Sequence, residues 1–192
     1  MKVELINVTP DAELLIAKSA GICYDSKVNK PESLLRRLKA DGHLATFRFA
    51  HASFKVSEIS RACANQMVRH KFLDFLQRSQ RYVKETGFDY VTPPDIKEHE
   101  LISGFYDVAM KNAQQMYDEL IKRGIKAEDA RMVLPNACHT ELNVTGSFQA
   151  WWDYLYGKAS RLDKHAQWEI QSVAQEIERQ LNKIAPNIFG DK

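Results

Sequence analysis

Two long segments with apolar side chains at helical spacing constrain the fold of this 192-residue chain most strongly. In residues 166–184, one stripe holds Ile170, Val173, Ala174, Ile177, Leu181 and Ile184. In residues 98–123, the residues at helical spacing are Phe105, Ala109, Met116, Leu120 and Ile121. Gly124 is well placed beyond the end of this segment, because glycine readily adopts the left-handed conformation that closes many helices. Both segments are therefore predicted to be long amphipathic helices, each with one apolar face to bury.

Shorter segments show alternating strand and helix patterns. Runs of β-forming residues predict strands at residues 3–8, 47–56 and 140–145. Capping residues, prolines and apolar spacing predict helices at residues 11–20, 31–42, 58–70 and 126–133, and another that begins at Gly146 and Ser147. Residues 86–95 contain Gly87, Pro93 and Pro94 and are predicted to be irregular and exposed. Without an internal repeat or linker, the sequence predicts one α+β domain over residues 1–192.

The composition is ordinary for a soluble globular protein, with 44% hydrophobic and 27% charged residues. A net charge of +2 is too small to predict nucleic-acid binding, although local basic clusters can still hold phosphates. No apolar run approaches the ~20 residues that a membrane-spanning helix needs, and the first residues show no signal-peptide pattern. We therefore expect a cytoplasmic protein that binds neither nucleic acid nor membrane.

The three cysteines, Cys23, Cys63 and Cys138, do not form a recognisable pattern. An odd number without CxxC spacing argues against a disulfide framework and a zinc site, and no histidine or carboxylate cluster has metal-ligand spacing. A reactive cysteine needs electropositive, partly open surroundings. Cys63 lies on the predicted inward face of its helix, and Cys138 has no evident cationic neighbour beyond His139. Structural roles are favoured for all three.

Residues 66–82 form a basic cluster with the character of an anion-binding site. They contain Arg69, Lys71, Arg78 and Arg81 together with one histidine, and Asp74 is their one carboxylate. Arginine forks bind phosphate oxygens bidentately, and the nearby serine and glutamines can orient a ligand. The simpler interpretation is a solvated basic end of a helix.

The spacing within this cluster resembles the signature of the flavin-dependent thymidylate synthases: Arg-His-Arg, seven residues, Ser, one residue, Arg. Here the signature reads Arg69, His70 and Lys71, then Ser79 and Arg81, so Lys71 replaces the third signature residue. Further blocks that look like the family, in the family's order, are Gly42-His43, Ile59-Ser60-Arg61-Ala62, Ala130 to Pro135, and Arg161 to Ile170. Together the blocks span residues 40–175.

This resemblance implies an α+β domain with a central, mostly antiparallel sheet flanked by long helices. It also implies an enzyme that converts dUMP to dTMP with FAD, methylenetetrahydrofolate as one-carbon donor and NADPH as reductant. The family forms homotetramers with shared sites. Chemistry carried by a cofactor agrees with the lack of a convincing protein nucleophile.

The resemblance also assigns roles to individual residues. The residues implied for FAD binding are Arg69, His70, Lys71, Gln77 and His165. The residues implied for the nucleotide pocket are Gln66, Arg69, Gln77, Arg78, Ser79, Gln80 and Arg81, with Arg131 reaching the dUMP phosphate from a neighbouring subunit. Taken alone, Arg131 could equally extend from a helix end into solvent, and His165 could be an exposed residue near a helix cap. The tryptophans Trp151, Trp152 and Trp168 are favoured as core or subunit contacts.

Arg161 is the implied catalytic residue. In the family, an arginine at this point contacts the uracil carbonyls, where a fixed cation stabilises developing negative charge. Aligned from the His165 side, Arg161 takes this position, whereas alignment from the Trp151 side places Lys158 there. The chain carries about three extra residues between the two anchors, and we assign the role to Arg161.

Two departures from the family pattern leave alternatives open. Lys71 keeps the charge of an arginine but loses its planar fork. The family usually has a Glu-His pair where this chain has Arg48 and Phe49, and His51 is a candidate for compensation. An altered one-carbon site would suit a relative that hydroxymethylates or otherwise modifies C5 of dUMP or dCMP. A non-catalytic nucleotide- or flavin-binding protein is the third hypothesis.

Overall fold

A four-stranded antiparallel sheet is the centre of the fold. The computed structural model describes residues 1–23, 25 and 27–190. The strands are β1 (Lys2–Val8), β2 (His51–Ser60), β3 (Asp74–Gln77) and β4 (His139–Ser147). Their order in the sheet is β1-β2-β4-β3. The predicted α+β class and antiparallel sheet are confirmed.

Helices make up most of the remaining described structure. In chain order they are α1 (Ala12–Ile22), α2 (Pro31–Ala40), α3 (Arg61–Met67), α4 (Pro94–Lys97), α5 (Glu100–Lys122), α6 (Ala127–Ala130), α7 (Phe148–Tyr156), α8 (Trp168–Ile184) and α9 (Pro186–Phe189). Short 3-10 helices occupy Leu44–Phe49 and Arg131–Val133. Within the described ranges, no helix is long and apolar enough to cross a lipid bilayer.

The chain forms two compact units. Unit 1 comprises Met1–Val56, Met67–Phe75 and Asn143–Lys192, and unit 2 comprises Ser57–Gln66 and Leu76–Leu142. Strands β2, β3 and β4 contribute residues to both units. The basic signature is divided in the same way, because residues 69–71 belong to unit 1 and residues 77–81 to unit 2.

Helices α7 and α8 contribute buried side chains to the core of unit 1, and for α8 the apolar spacing predicts this. On α8 the buried stripe consists of Ile170, Val173, Ala174, Ile177 and Leu181. On α7, Trp151 is fully buried. Its ring meets Phe54 edge-on at 5.1 Å, and its indole N–H donates to the carbonyl of Ala52 at 3.0 Å. The prediction that Trp151 is a core residue is confirmed.

Replacing Trp151 with phenylalanine is expected to lower the free energy of unfolding by about 2 kcal/mol, because it leaves a small void and an unpaired buried carbonyl. Chemical denaturation measures this change. The matched control is Trp168→Phe, since Trp168 is 38% exposed and its replacement should cost less than about 0.5 kcal/mol. Equal effects in the two variants would contradict the assigned role of Trp151.

The long helix α5 is confirmed in unit 2, but the expected burial of its apolar stripe is wrong. Phe105 is 65% exposed and Met116 is 54% exposed, whereas Tyr117 is fully buried. The phenolic oxygen of Tyr117 accepts a hydrogen bond from the backbone N–H of Glu85 at 2.9 Å. The apolar spacing identified the helix correctly but not which of its residues are covered.

Two predicted boundaries near β2 are also wrong. The start of the strand predicted at residues 47–56 is instead the 3-10 helix Leu44–Phe49, in which Phe47 is buried and meets Trp152 edge-on at 6.3 Å. The helix predicted from residue 58 begins at Arg61, because the hydroxyl of Ser60 accepts from the backbone N–H of Cys63 at 3.0 Å, as a capping side chain does. Glu58 remains in β2, with a φ of 57° that side-chain-bearing residues rarely adopt.

Residues 86–93 are irregular, as predicted, whereas Pro94 and Asp95 begin α4, and the segment is not uniformly exposed. Phe88 is buried. The carbonyl of Asp89 accepts from the backbone N–H of His139 at 2.8 Å, and the backbone N–H of Val91 donates to Ala137 at 2.9 Å. These bonds fix the segment against the start of β4.

Candidate active site

His70 of the signature lies in a half-buried, aromatic setting within unit 1. Its ring meets Tyr154 edge-on at 5.5 Å and Phe72 at 6.1 Å. Among the described residues, none forms a hydrogen bond with its buried Nδ1. A buried polar atom without a partner costs about 1–3 kcal/mol, so this nitrogen suits a bound ligand that offers a hydrogen-bonding group.

Burial favours the neutral form of His70. Desolvation is the largest effect and lowers the pKa of its imidazole, the carboxylate of Asp153 opposes it, and the guanidinium of Arg161 adds a smaller lowering. The structure thus brings Arg161, Asp153 and His70 close enough to interact electrostatically. A neutral imidazole presents one donor and one acceptor nitrogen, so His70 can orient a ligand without adding charge.

The lowered pKa of His70 predicts a loss of stability in acid. An unfolded histidine binds its proton near pH 6.5, so the unfolded state takes up more protons than the folded state below that pH. The free energy of unfolding should therefore be fully retained above pH 6.5 and fall as the pH decreases through and below it. Denaturant titration of the protein without added ligand at several pH values measures the slope.

The His70→Gln variant should show a shallower fall over the same range. The matched control is His51→Gln, which removes an exposed imidazole of the same unit and leaves His70 in place. That control should retain the slope of the unmodified protein. An unchanged slope in His70→Gln would show that the imidazole of His70 does not cause the effect.

A cavity of about 330 Å³ lies in the same unit, lined by Arg48, Phe72, Ser147, Gln149, Ala150 and Asp153. The guanidinium of Arg48 donates to the amide oxygen of Gln149 at 2.5 Å. Ser147 also caps α7, because its hydroxyl accepts from the backbone N–H of Ala150 at 3.2 Å. Asp153 and Phe72 connect this cavity to His70, since both interact with its ring.

Sequence reasoning missed Ser147, Gln149 and Asp153 as candidate site residues. A usable signal was present, because Gln149 and Asp153 are four residues apart and therefore share one face of α7. Arg48 was noted only as a departure from the family pattern, and the structure places it in this cavity.

The segment that carries Arg161 is fixed by hydrogen bonds to α7 and α8. The backbone N–H of Arg161 donates to the carbonyl of Tyr154 at 2.9 Å. The side-chain amide of Gln171 donates to the carbonyls of Leu162 at 3.3 Å and Asp163 at 3.1 Å. Arg161 is half-buried, whereas Lys158 is exposed. Of the two cations considered for the pyrimidine, Arg161 is the one that acts on His70.

The remaining predicted residues of unit 1 lie on its surface. Arg69, Lys71 and His165 are all exposed. The backbone N–H of His165 donates to the carboxylate of Asp163 at 2.8 Å. The two signature cations that flank His70 are thus open to solvent, as a phosphate-binding pair requires.

In unit 2, Glu128 contacts two of the arginines predicted to bind the nucleotide. Its carboxylate accepts from Nε of Arg81 at 2.9 Å, and its backbone carbonyl accepts from Nε of Arg131 at 3.1 Å. The ammonium of Lys126 is 4.0 Å from the same carboxylate. Ser79 accepts from the backbone N–H of Arg81 at 3.2 Å, which fixes the turn between them. Three cationic side chains, those of Arg81, Lys126 and Arg131, thus lie close to Glu128.

Other signature residues of unit 2 have different surroundings. Arg78 lies 3.2 Å from the buried carboxylate of Glu85 and 3.7 Å from that of Glu141. All three side chains line a cavity of about 400 Å³ in this unit. Gln80 is buried, and Gln66 and Gln77 are half-buried. Within the described structure, the buried side-chain nitrogen of Gln77 has no hydrogen-bond partner, so it too is available to a ligand.

Two of the three cysteines have the buried surroundings of structural residues. Cys63 and Cys138 are buried, and Cys23 is exposed. Burial raises the pKa of the Cys138 thiol to about 11, with Glu85 adding to the effect and Arg61 and Arg78 opposing it. Cys138 therefore remains protonated near neutral pH despite two cationic neighbours that its sequence surroundings did not reveal.

Comparison with known proteins decides the family. A family model described as thymidylate synthase complementing protein matches residues 4–187. A protein of Geobacter sulfurreducens named flavin-dependent thymidylate synthase is 34% identical, over all of this chain and 86% of its own length. This chain belongs to the flavin-dependent thymidylate synthase family.

Other members give the same result. A flavin-dependent thymidylate synthase of Clostridium tetani is 32% identical, over 98% of this chain and 85% of its own length. One of Mycobacteroides abscessus is 33% identical, over 92% of this chain and 78% of its own length. The match thus covers both units and the whole signature.

The flavin for which the family is named fits the residues present. The ring and ribityl groups of a flavin carry hydrogen-bonding atoms. Such atoms can pair with Nδ1 of His70, for which the described residues supply no partner. The exposed cations Arg69 and Lys71 beside it suit a phosphorylated cofactor. The donor set around His70 therefore agrees with flavin binding.

Proposed function

We propose that this protein catalyses the FAD-dependent reductive methylation of dUMP to dTMP. Methylenetetrahydrofolate is the one-carbon donor and NADPH the reductant. The observation that carries the proposal is the grouping of His70, Asp153 and Arg161 around a partly buried site in a chain of this family. The family supports thymidylate synthesis, and the grouping supports an intact pyrimidine and flavin site.

The proposed FAD ligands are Arg69, His70, Lys71, Gln77 and His165. The proposed dUMP ligands are Gln66, Arg69, Gln77, Arg78, Ser79, Gln80, Arg81, Arg131 and Arg161, with Lys158 as the alternative to Arg161 at the pyrimidine. When bound, FAD supplies the hydride chemistry, which no amino-acid side chain can provide. The protein supplies binding, orientation and charge.

Residues of the protein would contact the nucleotide at its phosphate and at its uracil ring. Arg81 and Arg131 of a neighbouring subunit bind the phosphate, and Glu128 gives up its ion pair to Arg81 when the phosphate arrives. Arg161 places a positive charge at the uracil carbonyls, where electron density accumulates as the ring reacts. A cation fixed in advance stabilises that charge without reorganisation, so it lowers the barrier more than it strengthens substrate binding.

We propose that residues 1–192 work as one catalytic domain in a cytoplasmic homotetramer whose subunits share sites. The exposed apolar residues of α5 support assembly: Leu101, Phe105, Val108 and Met116 are each more than half exposed. Apolar patches of this kind are typical of interfaces. Sedimentation at micromolar concentration tests the assembly, and a monomer would contradict it.

The decisive experiment is an anaerobic assay with FAD, NADPH, dUMP and isotope-labelled methylenetetrahydrofolate, with the product identified by mass. We expect dTMP that carries the labelled carbon. A 5-hydroxymethyl product would support the alternative reaction, which Arg48 favours because it lines the cavity where the family usually has an acidic residue. The same assay with dCMP tests the substrate. A colourless protein that does not bind added FAD would exclude both reactions.

A further inference from the structure

A third cavity, of about 670 Å³, lies in unit 1 on the side of α7 that carries Trp152 and Tyr156. Its volume is within the range of roughly 300–1,000 Å³ that small-molecule sites occupy. The residues that line it are Lys39, Trp152, Leu155, Tyr156, Ser160 and Leu162, together with Asp163, Lys164, Phe189 and Gly190. None of them is among the residues proposed above to bind FAD or dUMP.

The walls of this cavity are aromatic and held in place. The ring of Trp152 is 4.6 Å from that of Tyr156 and 6.4 Å from that of Phe189. The phenolic hydroxyl of Tyr156 donates to the carboxylate of Glu178 at 2.7 Å and lies 3.1 Å from the carbonyl of Phe189. The half-buried ring of Trp152 can present a flat apolar surface to a planar molecule, and the tilted rings of Tyr156 and Phe189 hold it in place.

Two lysines are among the residues that line the cavity. Lys39 is half-buried, and its ammonium donates to the carbonyl of Gly190 at 2.8 Å and lies 5.9 Å from the centre of the Trp152 ring. Lys164 adds a second, exposed cation. Among the described lining residues, Asp163 carries the one carboxylate, and its oxygen accepts from the backbone N–H of His165. The ammonium of Lys39 is held at the edge of the aromatic wall by its bond to Gly190.

We propose that this cavity is a second ligand site, for a small aromatic anion, separate from the flavin and nucleotide site. The ring of Trp152 stacks on the planar part of the ligand, and Lys39 and Lys164 bind its carboxylate, sulfonate or phosphate group. The wall includes both chain neighbours of Arg161, namely Ser160 and Leu162. A ligand bound in this cavity is therefore also expected to change the rate of turnover. That effect rests on the proposed function, whereas the binding of the ligand does not.

The test uses two fluorescent probes with the same aromatic framework and different charge. The anion is 8-anilinonaphthalene-1-sulfonate, and the neutral probe is N-phenyl-1-naphthylamine. Replacing Lys39 with methionine should weaken binding of the anion by about tenfold, since a charge-assisted hydrogen bond is lost, and should leave binding of the neutral probe unchanged. Lys164→Met should likewise weaken binding of the anion and not of the neutral probe. Because it leaves the contact between Lys39 and Gly190 in place, it tests the proposal if Lys39→Met fails to fold.

The matched control is Lys122→Met at the exposed end of α5, which should change neither affinity. Saturating FAD and dUMP should leave the anion bound. Unchanged affinity in both lysine variants, equal weakening of both probes, or displacement of the anion by FAD or dUMP would each overturn the proposal. These binding measurements do not depend on whether the protein forms dTMP in the assay described above.

Discussion

Replacing Arg161 with glutamine is expected to lower kcat for dTMP formation by about 10²- to 10³-fold, the usual effect of removing one preorganised group that stabilises developing negative charge. KM for dUMP should change much less, because the interaction strengthens in the transition state. The prediction follows from the fixed position of Arg161, whose backbone is bonded to Tyr154 and whose charge acts on His70. Steady-state kinetics with dUMP measure both parameters.

Lys158→Gln is the discriminating variant, because Lys158 is the other cation that alignment places at the pyrimidine. It is exposed, whereas Arg161 is half-buried, so its loss should lower kcat by less than about threefold, in line with the small effect of an exposed charge. A large loss in Lys158→Gln with near-normal Arg161→Gln would transfer the catalytic role to Lys158. Flavin absorbance should be retained in both proteins.

Replacing Arg131 with glutamine is expected to raise KM for dUMP by about 10- to 100-fold, because a charge-assisted bond to the phosphate is lost. The rate at saturating dUMP should fall far less. Deoxyuridine, which lacks the phosphate, separates this role from a general loss of structure. Its already weak binding should be the same in the variant and in the unmodified protein.

The matched control is Arg123→Gln, because Arg123 is also an arginine of unit 2 and pairs with Glu119 on the exposed surface of α5 at 2.7 Å. It should leave KM unchanged. If sites are shared between subunits, mixing Arg131→Gln and Arg161→Gln proteins under conditions that exchange subunits should restore some activity, since some sites then combine two intact arginines. No recovery after demonstrated exchange would oppose shared sites.

Local signals in the sequence account for much of the fold. The apolar spacing of residues 166–184 gives α8, and Gly124 follows the end of α5 with the positive φ expected of a closing glycine. The start of α3 could also have been predicted, because Ser60 is a capping residue type. The 3-10 helix Leu44–Phe49 could not, because its phenylalanines are equally favourable in a strand and only the packing of Phe47 on Trp152 distinguishes the two.

The candidate site was predicted as a set of residues but not as an arrangement. The signature spacing located His70, Ser79 and Arg81 by resemblance. The contact between Arg81 and Glu128 joins positions 47 residues apart, so no local pattern reveals it. The electrostatic influence of Arg161 on His70 likewise depends on how the segment after α7 folds back.

The exposed side chains of α5 have a consequence for folding as well as for assembly. Burial of Leu101, Phe105, Val108 and Met116 against another copy would contribute free energy that the solitary chain lacks. A partner that binds the folded state but not the unfolded state shifts the folding equilibrium towards the folded state by mass action. If the proposed homotetramer forms, dilution should therefore lower the melting temperature of this protein.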